Sequence, residues 1–250
     1  MITAVTLAAA ALSASSVGAP ARPALSVSPA HLALTAGGKA TVHIGAVSRG
    51  QLLLRASVAG LALDPRGRPQ IVSRRDAATW LTVRPRTISA GKTGATFVVT
   101  SRRPSSARPG DHTAIVLLTA TAAAGKGIAI GMRVGLVVTV RVGGRSIRRV
   151  EVVAARIRQA PGGAGRLIAV TVANRGARIE SIGGARLAVT LLRRGRVIGC
   201  FRVARRPLLP YTRAVVTIRC RAVVRGVLVA RVAIVRPDGR TAARRFRLRM

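Results

Sequence analysis

The stretch that decides the fold runs from residue 136 to residue 140 and reads Leu-Val-Val-Thr-Val. β-Branched residues favour extended backbone, because their side chains pack well on a pleated surface and lose freedom in a helix. Similar short runs occur at residues 98–100, 115–118 and 150–153, with Gly, Pro, Asn and Asp between them. Short strands separated by turn residues, without long helical periodicity, predict an all-β protein.

The distribution of these runs predicts two domains. Seven strands are predicted before Gly143-Gly144-Arg145 and seven after it. The predicted ranges are 24–34, 39–48, 51–63, 79–84, 93–101, 112–121 and 128–142 in the first group, and 147–158, 166–174, 185–193, 196–203, 212–221, 226–236 and 240–250 in the second. About seven strands in roughly 100 residues is typical of an immunoglobulin-like domain. The predicted fold is therefore two tandem immunoglobulin-like antiparallel β-sandwiches, covering residues 22–144 and 145–250, after an N-terminal signal peptide.

The signal peptide is predicted from residues 1–21, which carry no charged side chain. An apolar run from Ile2 to Leu12 leads to small residues and to Ala19-Pro20-Ala21, an arrangement typical of secretory leaders, although the usual basic residue near the start is missing. The alternative is an Ala-rich chain terminus. We predict a secreted, extracellular bacterial protein, and beyond the leader no apolar stretch reaches the ~20 residues of a transmembrane helix.

The charge of the chain is strongly unbalanced. There are 43 Lys+Arg against 6 Asp+Glu, a formal net charge of +37, and all but three of the basic residues are arginine. The 49% of hydrophobic residues excludes a disordered basic tail, because such tails contain few apolar side chains. The sequence pI of about 12.0 raises the possibility of a nucleic-acid partner, but aromatic residues make up only 2% of the chain, too few for base-stacking platforms.

Arginines alternate with apolar residues in two of the predicted strands, near residues 213–221 and 245–250. Side chains alternate between the two faces of a strand, so one face is predicted to join the core and the other to carry guanidinium groups. Guanidinium groups bind carboxylates and phosphates through paired hydrogen bonds. The alternative is a solvated surface that reflects GC-rich codons. The candidate anionic-ligand face consists of Arg213, Arg219, Arg221, Arg245, Arg247 and Arg249.

The two cysteines of the chain, Cys200 and Cys220, are predicted to form a disulfide, because export permits one and two is the smallest even count. Closing a loop of about 20 residues would contribute about 3 kcal/mol in the chain-entropy model. The alternative is a pair of buried free thiols. Two cysteines without a histidine nearby in sequence do not make a zinc site.

Catalysis is not predicted. The six carboxylates fall in separate loops and strands, so a paired general acid and base is hard to assemble. The three histidines lack metal-binding spacing, and the Gly-rich pieces lack the lysine of a phosphate-binding loop. Asp111 and His112 are expected to be a turn acid and a strand-start histidine, and Trp80 a core residue. We therefore predict no catalytic residue, no metal site and no cofactor.

Residues 79–120 carry a resemblance to a known family. The features are Trp80 at the start of a predicted strand, a Pro-x-x-x-x-Ala-Gly turn at residues 85–91, a β-run ending at Pro104, and a Pro-Gly turn at residues 109–110 before an apolar strand. They resemble the N-terminal peptidoglycan-binding immunoglobulin-like domain of the WxL-interacting proteins. The resemblance implies a bacterial cell-surface protein that binds peptidoglycan.

The second half resembles CARDB-like wall-associated sandwiches in the stretch Val-Thr-Val-Ala-Asn-Arg-Gly at residues 170–176. Together these observations predict a non-enzymatic exported module, associated with the cell wall, that binds peptidoglycan, anionic glycopolymers or a surface protein. The alternative is a secreted chaperone or assembly factor that offers a sheet edge to a strand of its partner. A nucleic-acid-binding protein is the third hypothesis, and the predicted leader argues against it.

Overall fold

The structure is a computed structural model that describes residues 25–45, 51–73, 77–102, 104–121, 131–160, 162, 165–220 and 226–249. The predicted signal peptide lies outside the described residues, as does Arg221. Strands form nearly all of the regular structure, and the one α-helix among the described residues is the four-residue α1 (Ala77–Trp80).

The first sandwich has two sheets. One sheet has the strand order β1-β3-β8-β6, with the bounds β1 (Val27–Ser28), β3 (Lys39–Ile44), β8 (Ala95–Ser101) and β6 (Leu81–Arg84). The other has the order β2-β10-β9-β4-β5, and β7 also pairs with β4. Its bounds are β2 (His31–Thr35), β10 (Gly131–Val142), β9 (Gly110–Thr121), β4 (Leu52–Leu63), β5 (Pro69–Val72) and β7 (Thr87–Ala90).

The core of the first sandwich lies between these sheets. Leu136, Val138 and Val140 alternate along β10 and are completely buried, so the stretch that predicts the fold is at the centre of the core. Phe97 on the opposite sheet is 1% exposed and belongs to the same cluster. Trp80 is half-buried against this core, as expected, but it ends α1 instead of opening a strand.

The predicted first strand, residues 24–34, is divided at Pro29. β1 pairs antiparallel with β3 in one sheet, whereas β2 pairs parallel with β10 in the other. Proline has no backbone N–H to donate to a ladder and is found at strand ends and sheet edges, so Pro29 suits a change of sheet. The β2–β10 pair is the one parallel pairing among the described strands.

The second sandwich also has two sheets. The smaller has the order β11-β12-β15, with the bounds β11 (Val150–Gln159), β12 (Arg166–Asn174) and β15 (Arg213–Cys220). The larger has the order β14-β13-β16-β17, with the bounds β14 (Arg196–Leu208), β13 (Glu180–Arg193), β16 (Val227–Val235) and β17 (Thr241–Arg249). Aliphatic side chains fill the space between the sheets, including Ile168, Val189 and Leu228, which are all fully buried.

The predicted fold class of two tandem immunoglobulin-like β-sandwiches is confirmed. Two short strands, β5 and β7, escaped prediction because neither has an alternating apolar run longer than its four residues. Both pair with β4, at its two ends.

Candidate functional site

The first candidate site is an open strand edge on β10. β9 pairs with β10 along its whole length, from residue 131 to residue 142. On the other side, β2 covers only residues 137–141. Within the described part of the chain, residues 131–136 therefore have a strand partner on one side only. Their outward backbone N–H and C=O groups can pair with an added strand.

The side chains of this edge alternate in burial. Met132 and Val134 are half-buried at the rim of the core, and Leu136 is fully buried below them, whereas Arg133 and Gly135 are exposed. A strand added beside residues 131–136 would continue the sheet and place its own inward side chains next to Met132 and Val134. The division of the chain at Pro29 leaves this edge uncovered, because residues before Pro29 belong to the opposite sheet.

The second candidate site is the junction between the sandwiches, where Asp111 at the start of β9 is 4% exposed. Its Oδ1 accepts hydrogen bonds from Arg141 Nε at 2.8 Å and from Arg178 Nη1 at 3.1 Å. Its Oδ2 accepts one from the backbone N–H of Ile179 at 2.9 Å and a longer one from Arg141 Nη2 at 3.4 Å. Because Arg141 belongs to the first sandwich and Arg178 and Ile179 belong to the second, this single carboxylate links the two.

Because Asp111 is ionised in these contacts, the free energy of unfolding should depend on pH. Burial by itself raises the pKa of Asp111, but the hydrogen bonds from Arg141, Ile179 and Arg178 outweigh burial and hold that pKa below its ordinary value. A depressed pKa stabilises the fold above the unfolded-state pKa of about 4, and this contribution is lost as the pH falls further.

We expect the free energy of unfolding of the wild type to exceed that of Asp111→Asn most at neutral pH. The difference should shrink as the pH falls below about 4, because protonation of Asp111 then costs the folded state its ion pairs. Urea titrations of both proteins from neutral to acid pH measure it. A difference that stays constant over this range would show that the carboxylate charge of Asp111 does not link the sandwiches.

A second buried carboxylate fixes the segment that joins the sandwiches. Glu180 is 2% exposed, and its two oxygens accept hydrogen bonds from Arg148 Nε at 2.7 Å and Arg148 Nη2 at 3.0 Å. Arg178 Nε also donates to Ser146 Oγ at 2.8 Å. The residues between β10 and β11 are thus bound to the second sandwich by side chains as well as by the chain itself.

Backbone contacts also cross the junction. The N–H of Asp111 donates to the carbonyl of Ala177 at 2.8 Å, and the N–H of Val215 donates to the carbonyl of Pro65 at 2.6 Å. Gly110 has a φ of +150°, and a Cβ at this position would lie 2.5 Å from the Ala177 oxygen. The two backbones therefore approach closely at a point where only glycine fits.

The structure divides the candidate anionic-ligand face between two sheets. Arg213 and Arg219 are exposed on β15, in the smaller sheet of the second sandwich. The arginines of β17 are exposed on the outside of the larger sheet, and they are Arg245, Arg247 and Arg249. Because the side chains between them, such as Ile218 and Leu248, point into the shared core, the two groups face opposite ways. Their role as a ligand site stays a prediction.

The structure does not contain the predicted disulfide. Cys200 is a free thiol, exposed on the edge strand β14, and its Sγ lies 3.9 Å from Thr190 Oγ1 within the same sheet. Cys220 ends β15, which belongs to the other sheet, and its side chain is outside the described residues. The prediction rested on the count of cysteines, which carries no information on which sheet each strand joins.

The described residues hold no group of three or more His, Cys, Asp or Glu side chains that could bind a metal ion. In that same part of the chain, no helix combines the length and apolar character that a membrane span requires. His112 contacts the ring of Trp80, with ring centroids 4.6 Å apart, and its Nε2 lies 2.9 Å from the carbonyl of Arg108.

Sequence reasoning missed the role of Asp111, which it assigned to a turn. A signal was present in the composition. In a chain with 43 basic and 6 acidic residues, a carboxylate that stays buried must be paired with a basic side chain. Only the register of β9 on β10 places Asp111 opposite Arg141, next to residues 143–145. The two arginines that bind Asp111, Arg141 and Arg178, come from separate stretches of the chain, and no local pattern relates them to Asp111.

Comparison with known proteins gives structural matches only. No family model matches the chain, and no curated protein matches it. Among solved structures, the class 5 fimbriae chaperone CfaA has 8% identity and a TM-score of 0.51, covering 89% of this chain and 98% of its own. A chaperone–tip adhesin complex described as vital for synergistic activation of CFA/I fimbriae biogenesis has 9% identity and a TM-score of 0.50, with coverage of 89% of this chain and 98% of its own.

A third similar structure is the CsuC–CsuE chaperone–tip adhesion subunit pre-assembly complex from the archaic chaperone-usher Csu pili of Acinetobacter baumannii. It has 8% identity and a TM-score of 0.50, covering 90% of this chain and 98% of its own. These matches overturn the prediction of a cell-wall-binding module and agree better with the chaperone hypothesis. The resemblance to WxL-interacting and CARDB-like proteins is not tested by them and stays a prediction. At this level of identity, the chain shares with these chaperones a fold of two immunoglobulin-like sandwiches.

Proposed function

We propose that this protein is an exported chaperone or assembly factor that holds a partner subunit at the open edge of β10. The observation that carries the proposal is the uncovered stretch 131–136, which has paired backbone on the β9 side and no described strand on the other. The likeness in fold to fimbrial chaperones supports it, over 89% of this chain. The leader predicted from the uncharged residues 1–21 supports action outside the cytoplasm.

The partner expected at this edge is a β-rich exported subunit whose own sheet lacks a strand. Backbone hydrogen bonds along an added strand supply affinity, and pockets for alternate side chains supply specificity. Met132 and Val134 are half-buried and lie on the same face of β10 as the core residue Leu136, and Met132 packs against the core of the first sandwich. Binding of this kind needs no catalytic group and no cofactor.

The junction holds the two sandwiches in one relative orientation in the proposed complex with the subunit. A bound subunit can contact both sandwiches only if their relative orientation is constant, and Asp111 fixes it with hydrogen bonds from Arg141 and Arg178. We propose that the junction positions the second sandwich beside the subunit held on β10.

Two substitutions on adjacent residues of the edge test this function. The tagged protein is purified from the exported fraction of its own host together with its bound subunit. We expect Val134→Gln to reduce recovery of that subunit by about tenfold. A polar side chain at this half-buried position loses about 1.4 kcal/mol or more of apolar burial in the complex. The Arg133 side chain is exposed on the opposite face of β10, so the Arg133→Gln variant should yield as much bound subunit as the wild type.

The readout is the molar ratio of subunit to tagged protein, measured by quantitative mass spectrometry. Circular dichroism confirms that both variants fold. Equal recovery with Val134→Gln and wild type, or recovery of no β-rich subunit with any of the three proteins, would contradict the proposed function.

A further inference from the structure

The second sandwich contains a cleft of about 1080 Å³ that lies away from β10, between the edges of its two sheets. Among the described strands, β14 is paired only with β13, and β15 only with β12, so each has one edge without a strand partner. On the β15 edge, the N–H of Val215 already donates to the carbonyl of Pro65, and the carbonyl of Val215 accepts a hydrogen bond from Arg206, so only the residues after Val215 remain for strand addition. Both strands line the cleft, and the β4–β5 turn of the first sandwich, residues 64–68, forms its far wall.

Arginines surround this cleft, which we call the arginine cleft. They are Arg66, Arg68, Arg158, Arg202, Arg206 and Arg219. The lining has one carboxylate, Asp64, and it is already occupied. Its Oδ1 accepts hydrogen bonds from the backbone N–H groups of Arg66 and Arg68, and its Oδ2 accepts one from Arg68 Nε at 2.7 Å. The cleft therefore carries a large excess of positive charge.

Arg206 is the arginine of this set whose guanidinium donates hydrogen bonds to backbone carbonyls that line the cleft. Its Nη1 donates to the carbonyl of Arg66 at 2.9 Å and its Nη2 to the carbonyl of Val215 at 2.8 Å, which joins the first sandwich to β15. Its Nε is buried and has no hydrogen-bond partner in the described structure. The Arg206 side chain is half-buried, and among the described residues its guanidinium forms no ion pair within 4.0 Å, although the more distant Asp64 carboxylate partly offsets its charge. An anionic ligand in the cleft would offset more of this charge.

The floor of the cleft is apolar. Phe201 and Val203 of β14 are half-buried against the core of the second sandwich, and Val216 of β15 is 4% exposed beside them. The cleft thus combines three features: open strand edges, an apolar floor and a rim of guanidinium groups. An extended peptide with alternating acidic and apolar side chains matches all three, because its backbone pairs with an edge while its side chains meet the floor and the rim in turn.

We propose that the arginine cleft binds an acidic, extended peptide segment of a partner protein by strand addition to β14 or β15. This site is separate from the β10 edge, and the proposal does not depend on the chaperone function. It assigns Arg202 and Arg219, both exposed at the rim, as residues that pair with carboxylates of the peptide.

A labelled peptide tests the proposal. It alternates glutamate and valine over about eight residues, the upper range of common strand lengths. We expect it to bind the full chain at physiological salt, as measured by fluorescence anisotropy, and a lysine–valine peptide of the same length not to bind. Alternate N-methylation of its backbone should weaken binding by about tenfold, because it removes the strand hydrogen bonds.

Matched variants show where the peptide binds. The double variant Arg202→Gln/Arg219→Gln should bind the peptide about tenfold more weakly than the wild type. The double variant Arg245→Gln/Arg247→Gln, which loses the same charge on β17, should change the affinity by less than about twofold.

Equal losses of affinity in the two double variants would overturn the site, since they would show attraction to overall charge. Unchanged affinity after N-methylation would overturn strand addition. Tighter binding of phosphatidylglycerol vesicles than of the peptide, with the same dependence on Arg202 and Arg219, would assign the cleft to lipid and overturn the proposal.

Discussion

Replacing Asp111 by asparagine is expected to lower the free energy of unfolding by about 3 kcal/mol, the lower end of the range for breaking a buried ion pair. The lower end applies because Arg141 is 60% exposed and regains water when its partner is lost. Arg178 is only 20% exposed, so its charge is left partly buried without compensation. An asparagine amide also places N–H donors where four N–H donors already point at the Asp111 carboxylate.

The matched control is Asp238→Asn, which removes the same charge from an exposed turn. The Asp238 carboxylate accepts one hydrogen bond from the N–H of Arg240, and we expect its loss to change stability by less than about 0.5 kcal/mol. Urea unfolding followed by the fluorescence of Trp80, the single tryptophan, measures both variants. Equal destabilisation by the two substitutions would mean that Asp111 contributes only its overall charge, and the junction would then have no special role.

Gly110→Ala is expected to be the other strongly destabilising change, by about 3 kcal/mol. A φ of +150° costs an L-residue about 1–3 kcal/mol, and a Cβ 2.5 Å from the Ala177 oxygen forces the two sandwiches apart. The shift would also lengthen the hydrogen bond from the Asp111 N–H to Ala177. The loss of stability should therefore come with a changed angle between the sandwiches.

Small-angle X-ray scattering measures that angle, and urea unfolding measures the stability. The control is Gly143→Ala, because a Cβ on Gly143 meets no atom within 4 Å and its φ is not positive. Gly143 directly follows Val142, which pairs with Gly110 in the β9–β10 ladder, so its substitution tests whether any added methyl group near this point has an effect. Scattering curves for Gly110→Ala that superimpose on those of the wild type, with unchanged stability, would show that the close approach at residue 110 is not required.

The strands were predictable because local chemistry decides them. The run at residues 136–140 is part of strand β10, as its β-branched composition indicates, and Leu136, Val138 and Val140 lie in the core. Residues 143–149 lie between β10, the last strand of the first sandwich, and β11, the first strand of the second. The change of sheet at Pro29 was not predicted. A proline indicates a break in a strand, but which sheet each half joins depends on residues far away in the chain.

The candidate sites were much less predictable. The arginine alternation in β15 and β17 correctly separates core from exposed positions, yet it could not show that the two strands lie in different sheets. For the same reason, the cysteine count could not show that Cys200 is an exposed free thiol. The open edge of β10 is defined by where β2 ends, and the pairing of Asp111 by arginines at positions 141 and 178. Both depend on the packing of distant segments.

Hydrogen exchange along β10 is the most direct test of the proposed chaperone function. The protein is isolated from its host with its bound subunit, and exchange of the backbone amides of residues 131–136 is compared with that of the free protein by mass spectrometry. If the subunit adds a strand at the open edge, exchange at residues 131–136 slows on binding while residues 137–141, already covered by β2, change little. Unchanged exchange at residues 131–136 in a complex that does contain the subunit would contradict the proposed function.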